Sequence, residues 1–79
     1  MEHNIQVLSR LKRFLEGTIE RRNAMFFELR ESVREALSQV DGDNPSQPEM
    51  VISVTWSAIE NGKSEDYGFC LKQIKRFIA

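Results

Sequence analysis

The chain has 79 residues and a formal net charge of −1, from 11 basic and 12 acidic residues, so its overall charge indicates neither a nucleic-acid-binding domain nor an acidic mimic of one. This length predicts a single small domain over residues 1–79 with a thin hydrophobic core. No apolar run approaches the roughly 20 residues of a membrane span, so we expect no membrane partner.

Cysteine and histidine occur once each, as Cys70 and His3. An internal disulfide and a tetrahedral Cys/His zinc site within one chain are therefore excluded, and we expect neither a metal nor a cofactor. A lone cysteine without a signal-like N-terminus predicts a cytoplasmic protein. Small chains often supplement their core with a disulfide, a metal or a partner subunit, and only the partner subunit is left. The composition therefore favours a homodimer.

Residues 4–40 carry apolar side chains at three- and four-residue steps, a spacing typical of a helix. The stripe consists of Ile5, Leu8, Leu11, Leu15, Ile19, Phe26, Leu29, Val33, Ala36, Leu37 and Val40. Val7 and Phe14 widen it in the first half, which predicts that this half is covered on two sides.

The same segment is compatible with one long kinked helix or with two helices. An unbroken helix would be about 55 Å long, whereas a compact chain of this size has a radius of gyration near 12 Å. Gly17 is typical of a position just past a helix end, and Thr18 can cap the next helix. Arg22 also interrupts the apolar stripe. We therefore favour a break or kink between Gly17 and Asn23.

After a polar linker at residues 41–49, which is expected to stop the helix and start a strand, residues 50–73 predict an antiparallel β-hairpin. Asn61-Gly62 between two alternating runs is a strong signal for a type I′ turn. The resulting register places six large side chains on one covered face. They are Ile52, Val54, Trp56, Tyr67, Phe69 and Leu71. The predicted fold is thus α+β, with the helical segment packed on this hairpin.

The C-terminal segment 74–79 is compatible with either a strand extension or a short helix. Ile74, Phe77 and Ile78 have helical spacing, and no strand is predicted opposite them.

No catalytic motif is present, and the chain offers one histidine and no Gly-rich phosphate loop. By elimination we expect a non-enzymatic, protein-binding regulator, adaptor or inhibitor, a class that includes phage-encoded inhibitors of bacterial enzymes. A site for a small ligand or for catalysis at a dimer interface is a further alternative.

Four residues are candidates for the protein interface. Phe27 lies outside the apolar stripe, so we expect self-association through the helical segment with Phe27 in or beside the contact. Arg22 lies near the centre of the segment, where an antiparallel dimer would bring two copies together, and these like charges would be unfavourable without acidic partners. Val51 and Ile59 would lie on the outer face of the hairpin, next to unpaired strand edges.

The alternative function is nucleic-acid binding through a basic helix strip. Its candidate residues are Arg10, Lys12, Arg13, Arg21, Lys75 and Arg76. They would form one phosphate-binding surface if the tail folded against the first helix. Glu16 and Glu20 interrupt the strip, which makes this the second choice.

Overall fold

The computed structural model describes residues 2–40 and 42–78, and every regular element in those ranges is helical. The elements are α1 (Glu2–Glu16), α2 (Ile19–Ser38), α3 (Gln47–Glu60) and α4 (Tyr67–Ile74), with a 3-10 turn at Ser64–Asp66 before α4. The predicted α+β fold is therefore wrong: residues 50–73 form α3, a short connection and α4 instead of a β-hairpin.

Residues 4–40 form two helices that separate at Gly17 and Thr18. The Thr18 hydroxyl accepts a hydrogen bond from the Arg21 backbone N–H at 3.2 Å, which caps α2. A Cβ atom on Gly17 would lie 2.9 Å from Cδ of Arg21 and 3.1 Å from the carbonyl oxygen of Arg13. The glycine thus allows α2 to begin close to the last turn of α1.

Asn61-Gly62, predicted to be the hairpin turn, ends helix α3. A type I′ turn needs positive φ at both residues, whereas φ is −91° at Asn61 and +64° at Gly62. The Gly62 N–H donates to the Ile59 carbonyl at 3.2 Å, and the Lys63 N–H donates to the Ala58 carbonyl at 2.9 Å. These two bonds form a Schellman motif, in which a single left-handed glycine follows the helix.

The predicted linker does not lead into a strand, because its last residues begin a helix. Asp41 lies outside the described residues. The Ser46 hydroxyl accepts a hydrogen bond from the Glu49 N–H at 3.3 Å, and the Glu49 carboxylate accepts one from the Ser46 N–H at 2.7 Å. This reciprocal capping box, with Pro48 in the first turn, starts α3.

The helical phase of α3 also reverses part of the predicted hairpin register. Ile52 and Trp56 are buried in both arrangements, but Thr55 is only 1% exposed while Val54 is exposed. On α4, Phe69 is exposed as well. A strand alternates its sides every residue, whereas a helix buries positions three and four apart, so neighbours exchange environments.

The core lies around α1, which contacts α2, α3 and α4. Its buried apolar side chains are Val7, Leu8, Leu11, Phe14 and Leu15. The other helices contribute Leu29, Val33, Ala36, Ile52, Trp56, Ala58, Ile59, Cys70 and Ile74. Packing on several sides explains why the apolar stripe is wide in the first helix.

Residues 75–77 continue α4 as a turn, and no strand forms there; Ala79, the last residue of the predicted segment, lies outside the described residues. The Lys75 N–H donates to the Leu71 carbonyl at 3.0 Å, and the Phe77 N–H donates to the Ile74 carbonyl at 3.0 Å. Phe77 and Ile78 are half-buried against the core. Within residues 2–40 and 42–78, none of the helices combines the length and the apolar character needed to cross a membrane.

Candidate protein-binding surface

Three large apolar side chains remain exposed on the side of the molecule formed by α3 and α4. Met50 is 52% exposed, Val54 is 55% exposed and Phe69 is 60% exposed. Met50 and Val54 are one turn apart on α3, and Phe69 lies on α4. We call the surface defined by these three residues the α3–α4 face.

A groove of about 170 Å³ runs between the two helices within this face. Met50, Val54 and Phe69 line it together with Val51, Thr55, Cys70 and Gln73. An apolar cavity of about 150 Å³ can hold a benzene molecule. The groove is therefore large enough for one apolar side chain of a partner.

The middle of the α3–α4 face is uncharged. No Asp, Glu, Lys or Arg occurs from Met50 to Ile59, and the exposed residues between the apolar ones include the small Ser53 and Ser57. Short side chains allow another helix to approach closely, and the missing charges remove a desolvation cost that most exposed helix faces would carry.

The two ends of this face carry different sets of charged residues. The helices α3 and α4 run antiparallel, so the end of α3 lies beside the start of α4. The groove near Asn61 is lined by Lys63, Asp66 and Phe69. The groove near Met50 is lined by Gln73 and Arg76. One end exposes three acidic side chains and one basic side chain, namely Glu60, Glu65, Asp66 and Lys63. The other end exposes Lys72 and Arg76 and has a half-buried carboxylate, Glu49.

Phe27, the first of the predicted interface residues, lies on a different surface. It is 67% exposed on α2, and Ile19, two turns before it on the same helix, is 73% exposed. The guanidinium of Arg30 lies 5.1 Å from the centroid of the Phe27 ring, a cation–π contact within the chain. The α2 surface is thus a narrower apolar patch beside a charged group.

Arg22, another of the predicted interface residues, makes its contacts within the chain. Its Nε donates to the Phe14 carbonyl at 3.1 Å, and its Nη2 donates to the Leu15 carbonyl at 2.9 Å. The guanidinium also lies 5.8 Å from the Phe14 ring centroid and 5.0 Å from that of Tyr67. The Phe14 carbonyl also accepts from the Gly17 N–H at 3.2 Å, so Arg22 adds a second bond there and satisfies the Leu15 carbonyl at the end of α1.

The other two predicted interface residues were placed on the outer face of a hairpin that does not exist. Ile59 lies in the core, and Val51 is half-buried beside the groove. Neither therefore projects from the surface as the hairpin register required.

Of the predicted basic strip, the structure brings Arg10, Arg13 and Arg21 together. These three line one cleft between α1 and α2, which Glu28 also lines. The Arg10 guanidinium in addition donates a hydrogen bond to the Ser32 hydroxyl.

The remaining basic residues of the strip lie elsewhere. Lys12 and Lys75 both contact the Glu16 carboxylate, at 3.2 Å and 4.0 Å, so an acidic group lies between them. Arg76 donates to the side-chain oxygen of Gln73 at 3.2 Å and lines a groove at the edge of the α3–α4 face. The six candidates do not form one continuous surface.

The groups that most often carry chemistry are dispersed in the described part of the chain. Residues 2–40 and 42–78 contain no group of three His, Cys, Asp or Glu side chains placed to hold a metal ion. Cys70 is buried, and His3 lies on the first turns of α1. The main feature of the described surface is therefore the apolar α3–α4 face, with charged residues at its two ends.

Comparison of the chain with protein-family models, with curated proteins and with solved structures found no match.

Met50, Val54 and Phe69 were not among the residues predicted to bind a partner. The sequence did contain a signal that would have found them, the capping box Ser46-Gln-Pro-Glu49. A helix starting there places Ile52, Thr55, Trp56 and Ile59 on one buried side. Met50 and Val54 then necessarily face outward.

Proposed function

We propose that this protein is a small, non-enzymatic, protein-binding regulator or adaptor, and that it contacts its partner through the α3–α4 face. The observation that carries the proposal is the exposure of Met50, Val54 and Phe69 around one apolar groove. Contiguous exposed apolar surface on a small domain is typical of an interaction site.

The composition of the face supports binding to a protein. Its centre is apolar and uncharged, and charged side chains surround it at both ends, as in a protein interface with a desolvated core and a polar rim. Phe69 and Met50 are also residue types that are enriched in such interfaces.

We also propose a cytoplasmic location. Cys70 is the only cysteine and is buried against the core, so this chain gains nothing from an oxidising compartment through an internal disulfide.

Site-specific photo-crosslinking in cells of the source organism tests the proposal. Benzoylphenylalanine at position 57 would replace Ser57, an exposed residue on the outer side of α3. We expect a covalent adduct with a protein after irradiation, because a crosslinker at this position would lie beside the apolar groove.

The matched control carries the same crosslinker in place of Glu31, an exposed residue in the middle of α2. The adduct from position 57 should disappear when Val54→Asp is added, since a charge in the centre of the face opposes its burial. Equal labelling from positions 57 and 31, or labelling unaffected by Val54→Asp, would contradict the proposal.

A second candidate function is phosphate binding by the cleft that Arg10, Arg13 and Arg21 line. Three guanidinium groups lining one cleft can contact a nucleic-acid backbone. In that case binding to duplex DNA should weaken with salt, with a logarithmic slope of about −0.9 per phosphate contact, and Arg13→Gln should reduce the slope. Glu28 within the cleft opposes this function.

A further inference from the structure

We infer that the α3–α4 face is the contact surface of a twofold homodimer in which α3 of one chain lies antiparallel to α3 of the other. This inference rests on the proposed function, since it names a second copy of this chain as the partner of the same face. It moves the expected self-association from the α2 surface around Phe27 to the opposite pair of helices.

The charge distribution of the face identifies a second copy as the partner. At one end Lys63 and Asp66 line the groove, and Glu60 and Glu65 are exposed close to them along the chain. At the other end Arg76 lines the groove, Lys72 is exposed one turn before it on α4, and Glu49 is half-buried on the first turn of α3. The ends are separated by about 20 Å, the length of α3. A face with this pattern is complementary to itself when one copy is turned end to end.

Two twofold arrangements can bury the same apolar centre, and the charges distinguish them. An axis parallel to α3 would place each acidic end on the acidic end of the other copy. An axis perpendicular to α3, lying in the plane of the face, places each acidic end on a basic end. Only the second arrangement pairs opposite charges, which fixes the orientation of the interface.

The antiparallel arrangement is also compatible with the side chains at the centre of the α3–α4 face. Val54 lies close to the middle of α3, so it meets Val54 of the second copy near the axis. The small exposed Ser53 and Ser57 allow the two α3 helices to approach. The grooves between α3 and α4 then face each other and are available to the exposed side chains of the opposite copy.

The α2 surface lacks this self-complementarity. Phe27 is exposed, but Arg30 covers one side of its ring. Glu28 and Glu31 are exposed on neighbouring positions of the helix. A second copy would have to bury these charges together with the phenylalanine, which carries a desolvation cost.

Sedimentation equilibrium on the purified protein tests the dimer. We expect the parent to be dimeric at a concentration of about 100 μM. Val54→Asp should raise the dimer dissociation constant by about 100-fold, since the change occurs in both copies and each copy contributes about tenfold. Phe27→Asp, a matched change at a similarly exposed residue, should leave the dissociation constant within about threefold of the parent. Circular dichroism of both variants tests whether they remain helical.

Charge reversal tests the orientation. Lys72→Glu with Arg76→Glu makes both ends of the face acidic, and Glu65→Lys with Asp66→Lys makes both ends basic. In the antiparallel dimer each double variant weakens association by placing like charges together, and the quadruple variant restores it. If neither double variant weakens the dimer, or if the quadruple variant does not restore it, the antiparallel inference is overturned.

The remaining outcomes separate this inference from the function on which it rests. A monomeric parent whose position-57 crosslinker captures another protein overturns the homodimer and leaves the proposed function standing. A monomeric parent with no specific adduct overturns both. A dimer dissociated by Phe27→Asp and unaffected by Val54→Asp overturns the inference and places self-association on α2.

Discussion

The guanidinium of Arg22 lies 5.0 Å from the centroid of the Tyr67 ring, so a side chain on α2 contacts the first residue of α4. The same guanidinium donates hydrogen bonds to the carbonyl oxygens of Phe14 and Leu15 at the end of α1. One partly buried arginine therefore joins three helices. Its position in the middle of an apolar stripe, which argued against a self-paired helical rod, is explained by contacts within the chain.

Arg22→Met should lower the free energy of unfolding by about 2 kcal/mol, because two charge-assisted hydrogen bonds and a cation–π contact are lost. Urea denaturation followed by circular dichroism measures the effect. Arg34→Met, the same change at an exposed position on α2, should stay within about 0.5 kcal/mol of the parent. Equal stability of the two variants would show that the contacts of Arg22 do not stabilise the fold.

The neighbours Val54 and Thr55 distinguish the helix from the predicted strand. Val54→Asp should change the stability of the monomer little, whereas Thr55→Asp should cost more than about 3 kcal/mol because it buries an unpaired charge. Denaturation at low protein concentration separates folding from association. A hairpin with Val54 on its covered face would give the opposite order.

Ser46→Ala should destabilise the protein by about 1 kcal/mol, because it removes the hydroxyl that caps α3. The same substitution at Ser9, an exposed position within α1, should be neutral or slightly stabilising, since alanine has the higher helix propensity. Thermal denaturation of both variants provides the comparison. A neutral Ser46→Ala would argue against the capping box.

Two glycines should respond in opposite directions to alanine. Gly62→Ala should cost about 1–2 kcal/mol, because φ is +64° there. Gly68→Ala, in the first turn of α4, should stabilise by about 0.4–1 kcal/mol, because nothing lies within 4 Å of the added Cβ and the unfolded chain loses freedom. Equilibrium unfolding in urea tests both, and a tolerated Gly62→Ala would contradict the Schellman motif.

The helical half of the fold could be predicted because its apolar spacing has one period over many residues. Gly17 and Thr18 also indicated where the first helix ends, since a glycine at a helix end followed by a capping hydroxyl is a local signal. Whether the segment forms one helix or two depends on packing over the whole chain. Helix α1 contacts α2, α3 and α4, and the spacing of apolar residues in sequence does not predict such contacts.

The hairpin failed because two local signals each have two structural meanings. Asn-Gly serves a type I′ turn and a Schellman helix end equally well. Ile52 and Trp56 are four residues apart, so they share a side in a strand and in a helix, and their burial does not distinguish the two. The capping box at Ser46 indicates a helix start and has no counterpart in a strand, but it lay in a segment that was interpreted as a linker.

The candidate site depended on that choice of period. Phe27 could be recognised as exposed from its position relative to the helical stripe, and it is exposed. Val54 and Phe69 were assigned to a core because the strand register paired them. A surface residue can be named from sequence only after the period of its element is correct.

The reactivity of the Cys70 thiol can be used to measure local opening of α4. The thiol is 2% exposed and lies on α4, the shortest α-helix among the described residues, and it lines the floor of the groove. Because the side chain is almost fully buried, we expect an alkylating reagent to react with the sulfur mainly when α4 moves away from its neighbours. The labelling rate of the unmodified protein therefore measures how often that helix detaches, and a partner seated on the groove would slow it.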